Sequence, residues 1–220
     1  FIVGMPRSGT TLVASLLGRN KDVRNRNELN WIAALAANLG ATPSAAALAS
    51  AAALYRAQLV QDDEPARCYV DKNPLNLRHL GLVAAMLPDA RIVHVRRDAR
   101  DTALSLWSQH FAHDDMRWAY DVADIAAYRR GCDALMDHWR ATLALPVFDL
   151  DYEALVADSG ATVARLAAFL GVGSEQRDAP DGEAIATASV WQARQAVYAS
   201  SVGRWREYDA HLPELARAFD

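Results

Sequence analysis

The segment Gly4-Met5-Pro6-Arg7-Ser8-Gly9-Thr10-Thr11 constrains this chain more than any other. It follows the apolar run Phe1-Ile2-Val3 and leads into Thr11–Arg19, where Leu12, Val13, Leu16 and Leu17 fall on one helical face. A strand, a glycine turn and a helix in that order place the free amides of a helix N-terminus at a sheet edge, which is an anion site. Gly4 and Gly9 have the spacing of the G-x-x-x-x-G-K-[ST] phosphate loop and Thr11 matches its last hydroxyl, but Thr10 stands where that loop has lysine. Ser8, Thr10 and Thr11 supply hydroxyls, and Arg7 supplies a forked cation suited to an oxyanion. ATP and GTP hydrolases set that lysine across the β- and γ-phosphates beside Mg²⁺. No clear acidic residue closes an apolar strand for the metal, Asp71 and Asp151 being the nearest. The loop is therefore read as holding a phosphorylated nucleotide without metal.

The rest of the chain supports one α/β domain over residues 1–220. Strand readings at Cys68–Val70, Arg91–Val95 and Val147–Leu150 alternate with helical readings. Helices are expected over Glu28–Leu39, over Ala45–Ala53 with Thr42 as N-cap and Pro43 at the first position, and along Leu77, Leu80, Ala84 and Leu87. Further helices are expected around Asp101–Trp107, over Asp121–Leu143, and through Val163–Leu170 up to Gly171. Such alternation predicts a three-layer sandwich of the phosphate-loop type, a central parallel sheet flanked by helices. No internal repeat or linker is visible. The composition is 52% hydrophobic with a net charge of −4, which supports a sizeable core and argues against a nucleic-acid partner. No apolar run has the length of a membrane span, and a cytoplasmic location is expected. Cys68 and Cys132 have no metal-ligand spacing and read as small buried apolar residues.

Four segments in order resemble the signatures of sulfotransferases that use 3′-phosphoadenosine 5′-phosphosulfate (PAPS). Pro6–Thr11, PRSGTT, resembles the loop that takes the 5′-phosphosulfate. His94–Ser105 resembles the second signature, in which an arginine and a serine eight residues later grip the 3′-phosphate; Arg97 and Ser105 match them. Tyr152-Glu153-Ala154-Leu155 resembles the segment whose tyrosine lies beside the adenine. Ser201-Val202-Gly203-Arg204-Trp205 resembles the closing G-x-W segment, whose basic residue touches the 3′-phosphate. Cytosolic sulfotransferases begin that last segment with Arg-Lys-Gly where this chain reads Tyr198-Ala199-Ser200, so Arg204 is the expected substitute, with Arg194 second.

The resemblance also bears on the chemistry. The cytosolic branch has its histidine base two residues after a lysine, and here Lys72-Asn73-Pro74 leaves proline in that place. Tyrosylprotein sulfotransferases, and the bacterial enzymes that resemble them, use a glutamate after the first helix. Glu28 falls there, while Lys72 and Ser189 match the transition-state lysine and serine of that branch. The arginines that hold an acceptor peptide there fall at Asn30 and Ala34. The resemblance thus implies PAPS as donor, no metal, and a hydroxyl acceptor: peptide tyrosine, sugar, lipid or small phenol. It also implies Glu28 as base with Lys72, Arg7 and Ser189 stabilising charge. Relatives of this type often carry a helical-repeat region before the domain, and a start at Phe1 fits a trimmed chain. His110 and His113 are secondary base candidates. The rival readings are a small-molecule kinase using ATP and Mg²⁺, and a nucleotide-binding module without catalysis.

Overall fold

A computed structural model describes residues 1–60, 65–111, 114–176 and 199–219. Five parallel strands form its centre: β1 (Ile2–Gly4), β2 (Val23–Asn25), β3 (Cys68–Val70), β4 (Ile92–Arg96) and β5 (Val147–Asp151). β1, β4 and β5 pair in that order and β2 pairs with β3, all parallel. The parallel bridge between Ile2 and Lys72, with the Ile2 amide donating to the Asp71 carbonyl at 3.0 Å, joins the two sets through β1. The resulting order 2-3-1-4-5 moves to one side of β1 for β2 and β3 and to the other for β4 and β5. Open α/β sheets bind their ligands at the carboxyl edge near such a reversal.

Alternation along the strands sorts the core into layers. Ile2, Val93, Val95 and Leu150 pack against α1 (Thr10–Gly18), α7 (Tyr152–Ala157) and α8 (Ser159–Leu170), through Val13, Leu17, Leu155 and Leu166. Val3 and Ile92 face the other way, onto α2 (Trp31–Leu39), α3 (Ala45–Val60), α4 (Leu80–Met86) and the later turns of α6 (Val122–Thr142). A third cluster joins Met5 to α5 (Ala99–Trp107), the start of α6 and α9 (Pro213–Phe219), through Leu104, Ile125 and Leu215. The expected sandwich with a central parallel sheet is the observed fold.

Several local expectations are corrected. α2 begins at Trp31, not Glu28, because Arg26 and Lys72 continue the β2–β3 pairing: Arg26 N donates to Val70 O at 2.8 Å and Lys72 N to Asn27 O at 2.9 Å. Asn27 takes the left-handed φ of 55°, with its amide on Asn25 Oδ1, so the chain cannot be helical there. Ser44, not Thr42, caps α3, its hydroxyl accepting from the Ala47 amide. The helical spacing through Leu77 resolves into a 3₁₀ turn, Pro74–His79, followed by α4; Asn73 caps that turn. Both cysteines are free thiols and only partly buried. Strand β2 was not expected from the sequence. Among the described residues no helix is long and apolar enough to cross a membrane.

Candidate functional site

Every strand end delivers one candidate residue to the same edge of the sheet. Arg7 lies three residues beyond β1, Glu28 three beyond β2, Lys72 two beyond β3, Arg97 one beyond β4 and Tyr152 one beyond β5. Two groups of contacts result.

The first surrounds the glycine loop. Ser8 N bonds back to Met5 O at 3.1 Å, and Arg7 adopts a φ of 70° in the tight turn. Gly9 precedes α1 with φ 104°, and no side chain caps the helix, so its first-turn amides face the loop. Ser8 and Thr10 are buried while Thr11 is partly exposed. Arg7 Nε donates to Ser105 Oγ at 3.1 Å. Arg97 spreads its fork, one nitrogen on Arg7 O at 3.1 Å and the other on Ser201 O at 2.6 Å. Its third nitrogen, Nε, is buried without a partner. The guanidinium lies 4.7 Å from the centre of the Tyr152 ring, whose hydroxyl shares a 2.7 Å hydrogen bond with Ser201. That ring also closes on Gly9, where a Cβ would lie 2.4 Å from Tyr152 Cδ2. Arg97 and Ser105, paired by the sequence motif, thus meet through Arg7.

The surrounding residues explain how this group is held. Asp98 caps α5 through the Arg100 and Asp101 amides and donates its own amide to Glu153, which ties the second signature to the tyrosine segment. Asp101 is buried in the first turn of α5 and accepts from Gly203 N at 2.6 Å and Trp205 N at 3.0 Å. The Arg100 guanidinium lies 4.0 Å from the Trp205 ring centre. Together these dock the C-terminal segment against α5. Arg129, on α6, donates to the Arg97 carbonyl at 3.0 Å. Arg204 is exposed and turned toward Tyr208, donating to its hydroxyl at 3.3 Å. Sequence reasoning missed Asp101, Arg129 and Ser201. Asp101 carried one signal: it is a second acid in a helical turn that Asp98 already caps.

The second group lies at the β2 and β3 ends. Lys72 is 0% exposed and pairs through Nζ with Glu28 Oε1, while the Glu28 side chain keeps 42% of its surface in contact with solvent. Burial pushes the Lys72 ammonium below its ordinary value, and the Glu28 charge opposes that shift. Asn73 Nδ2 holds Leu29 O at 3.1 Å, fixing the turn that carries Glu28. Behind it the Tyr55 hydroxyl donates to Asp71 Oδ2 at 2.6 Å. Burial raises Asp71, and it raises Tyr55 together with the adjacent Asp71 charge. His110 is exposed at the end of the α5 segment. Ser189, His113 and Arg194 lie outside the described residues.

Residues 1–176 match the profile of the Sulfotransferase family. The chain belongs to the sulfotransferase family. Its fold agrees with solved sulfotransferase structures. The sulfotransferase domain from the Synechococcus PCC 7002 olefin synthase superposes with a TM-score of 0.69 at 18% identity, over 100% of this chain and 93% of that one. The Alicyclobacillus acidocaldarius sulfotransferase superposes with a TM-score of 0.58 at 18% identity, over 99% and 92%. In sequence, the chain is 31% identical over 234 residues to an uncharacterized protein of Aquifex aeolicus (strain VF5), covering 96% of this chain and 31% of that protein. It is 30% identical over 125 residues to protein-tyrosine sulfotransferase 1 of Danio rerio, covering 50% of this chain and 35% of that relative. The chain thus spans about a third of the length of each of these two relatives.

Proposed function

We propose that this chain transfers a sulfuryl group from PAPS to a hydroxyl acceptor. The observation that carries the reading is the convergence of Arg7, Arg97, Ser105 and Tyr152 on the glycine loop, at the same sheet edge as a buried lysine paired with a solvent-facing glutamate. The loop amides, Ser8, Gly9, Thr10, Thr11 and Arg7 suit the 5′-phosphosulfate. Arg97 and Ser105 suit the 3′-phosphate, and the unpartnered Arg97 Nε favours an anion there. Tyr152 offers a face for the adenine. Arg204, one residue from two amides fixed by Asp101, is the basic residue assigned to the same phosphate.

In the proposed step Glu28 takes the proton from the acceptor hydroxyl, and the freed oxygen forms a bond to sulfur. The bond from sulfur to the 5′-phosphate oxygen breaks, and its electron pair stays on that oxygen, leaving adenosine 3′,5′-bisphosphate. Lys72, Arg7 and the loop amides offset the charge that develops there, with Ser189 assigned to the same task. The ion pair with Lys72 holds the Glu28 carboxylate in place beside the loop. The half-exposed face of Glu28 leaves an approach for the acceptor, drawn from peptide tyrosines, sugars, lipids or small phenols.

Thermal unfolding with ligands tests the reading. Adenosine 3′,5′-bisphosphate at ~100 times its Kd should stabilise the fold by about 2.7 kcal/mol. Stabilisation by ATP with Mg²⁺, and none by the bisphosphate, would replace it with the kinase reading.

A further inference from the structure

The Arg97 side chain is held by the glycine loop and the C-terminal segment, but its peptide unit is held from a third place. Pairing of β4 with β5 ends at Arg96 and Asp151, one residue short of the Arg97 carbonyl. That carbonyl accepts from Arg129 Nη1 at 3.0 Å, reaching across from the first half of α6. Arg129 is itself oriented: its Nε lies 3.3 Å from Asp133 Oδ2, one turn further along the helix. A guanidinium makes a charge-assisted bond about twice as strong as a neutral donor would. Both arginines line a small polar cavity behind the loop, with Ser8, His94, Thr102 and Asp133. Atoms facing a void have no packing contacts on that side, so the hydrogen bond carries more of the positioning there. Directly beyond the carbonyl Asp98 caps α5, the helix that brings in Ser105. The Arg97–Asp98 peptide thus sets the direction of the Arg97 side chain and the start of that helix.

We propose that Arg129 is a positioning residue of the donor site: by fixing the peptide that carries Arg97, it sets that guanidinium for the 3′-phosphate. It acts through Arg97. The inference rests on the donor assignment proposed above. Attachment of α6 to the rest of the molecule does not depend on this bond, because Ile125 anchors the helix in one core cluster and Met136 in another. An arginine kept only to fasten α6 would serve ligands with and without a 3′-phosphate alike. One that orients Arg97 matters to the first kind and not to the second.

Calorimetry with adenosine 3′,5′-bisphosphate and with adenosine 5′-phosphosulfate, which lacks the 3′-phosphate, separates the two roles. Arg129→Met keeps the apolar stem and withdraws both the donor and the charge. It should weaken bisphosphate binding at least about fivefold, with phosphosulfate affinity held within about twofold. In an Arg97→Ala background the same substitution should change neither affinity by more than about twofold, because the group it positions is gone. Equal losses for the two ligands overturn the inference. So does a bisphosphate loss in the Arg97→Ala background as large as in the parent. If Arg129→Met does not fold, Arg129→Gln stays polar but is too short to make the same bond; it should give the same selective loss, and an unchanged preference overturns the inference equally. Parent protein that binds the two ligands with equal affinity would instead overturn the donor assignment on which the inference rests.

Discussion

Gly9→Ala probes how the donor side of the site is assembled, because one methyl group meets two separate obstacles. Gly9 has φ 104°, where an L-residue is strained by about 1–3 kcal/mol. The new Cβ would also lie 2.4 Å from Tyr152 Cδ2 and 2.9 Å from Cε2, and forcing extra volume into a packed contact costs about another 1–3 kcal/mol. The two together come to about 2–6 kcal/mol, against a typical total of about 5–15 kcal/mol. Gly40→Ala separates the parts: Gly40 has φ 70° and ψ −171°, yet nothing lies within 4 Å of its would-be Cβ, so only strain is added. Urea unfolding should therefore place Gly9→Ala below Gly40→Ala by the cost of the clash. In a Tyr152→Ala background that difference should vanish, a coupling of about 1–3 kcal/mol. Displacing the ring also disturbs the Arg97 stack and the Ser201 hydrogen bond, so calorimetry should show weaker bisphosphate binding. If Gly9→Ala costs no more than Gly40→Ala, the ring does not seat on the loop and this account of the donor site fails.

Arg97→Ala should weaken adenosine 3′,5′-bisphosphate far more than adenosine 5′-phosphosulfate; equal losses in calorimetry would remove Arg97 from the 3′ site. Asp101→Asn replaces one of two buried acceptors with a donor facing an amide, at a cost of about 1–3 kcal/mol. Hydrogen exchange should then speed at Gly203 and Trp205, and unchanged protection there would show that Asp101 does not hold the segment. Burial lowers His94 and His79 below the ordinary value of 6.5, so the unfolded chain binds their protons first. Their stabilising contribution is full above about pH 6.5 and is lost as pH falls toward the folded-state values. His94→Asn should flatten part of that decline in the urea midpoint, and an unaltered slope would assign it elsewhere.

The grouping of Arg7, Arg97, Ser105 and Tyr152 was legible because the motifs that carry it are local. A glycine loop, an arginine at a strand end and a serine two helical turns later each occupy a short stretch, and the parallel sheet aligns those stretches at one edge. The apolar runs at β1 and β4 announced themselves because both faces of those strands are covered, and β5 did so through Val147 and Phe148, although Asp149 and Asp151 are exposed. β2 did not, since only Val23 of its three residues is buried and arginines and asparagines surround it. Its existence depends on a partner 45 residues away, the distance from Val23 to Cys68. Missing β2 is also what drew the start of α2 back to Glu28.

The same long-range pairing decides the surroundings of Glu28. As the first residue of a helix, it would have been one more solvated carboxylate favoured by the helix dipole. The extended turn at Arg26 and Asn27, bonded to β3 and to Lys72 N, instead sets Glu28 beside a lysine 44 residues later in the chain. Nothing in Asp71-Lys72-Asn73-Pro74 as a string distinguishes a buried cation from a surface one; the bridge between Ile2 and Lys72, which carries that residue into the sheet, does. A lysine kept out of water must keep a carboxylate near it, and here that partner is Glu28, brought in from the end of another strand. Glu28 keeps 42% of its side-chain surface open to solvent, whereas Asp71, the other carboxylate of this edge, is buried and accepts from the Tyr55 hydroxyl. Only the carboxylate open to solvent can meet an acceptor, which is why the proposed reaction takes Glu28, and not Asp71, as its base.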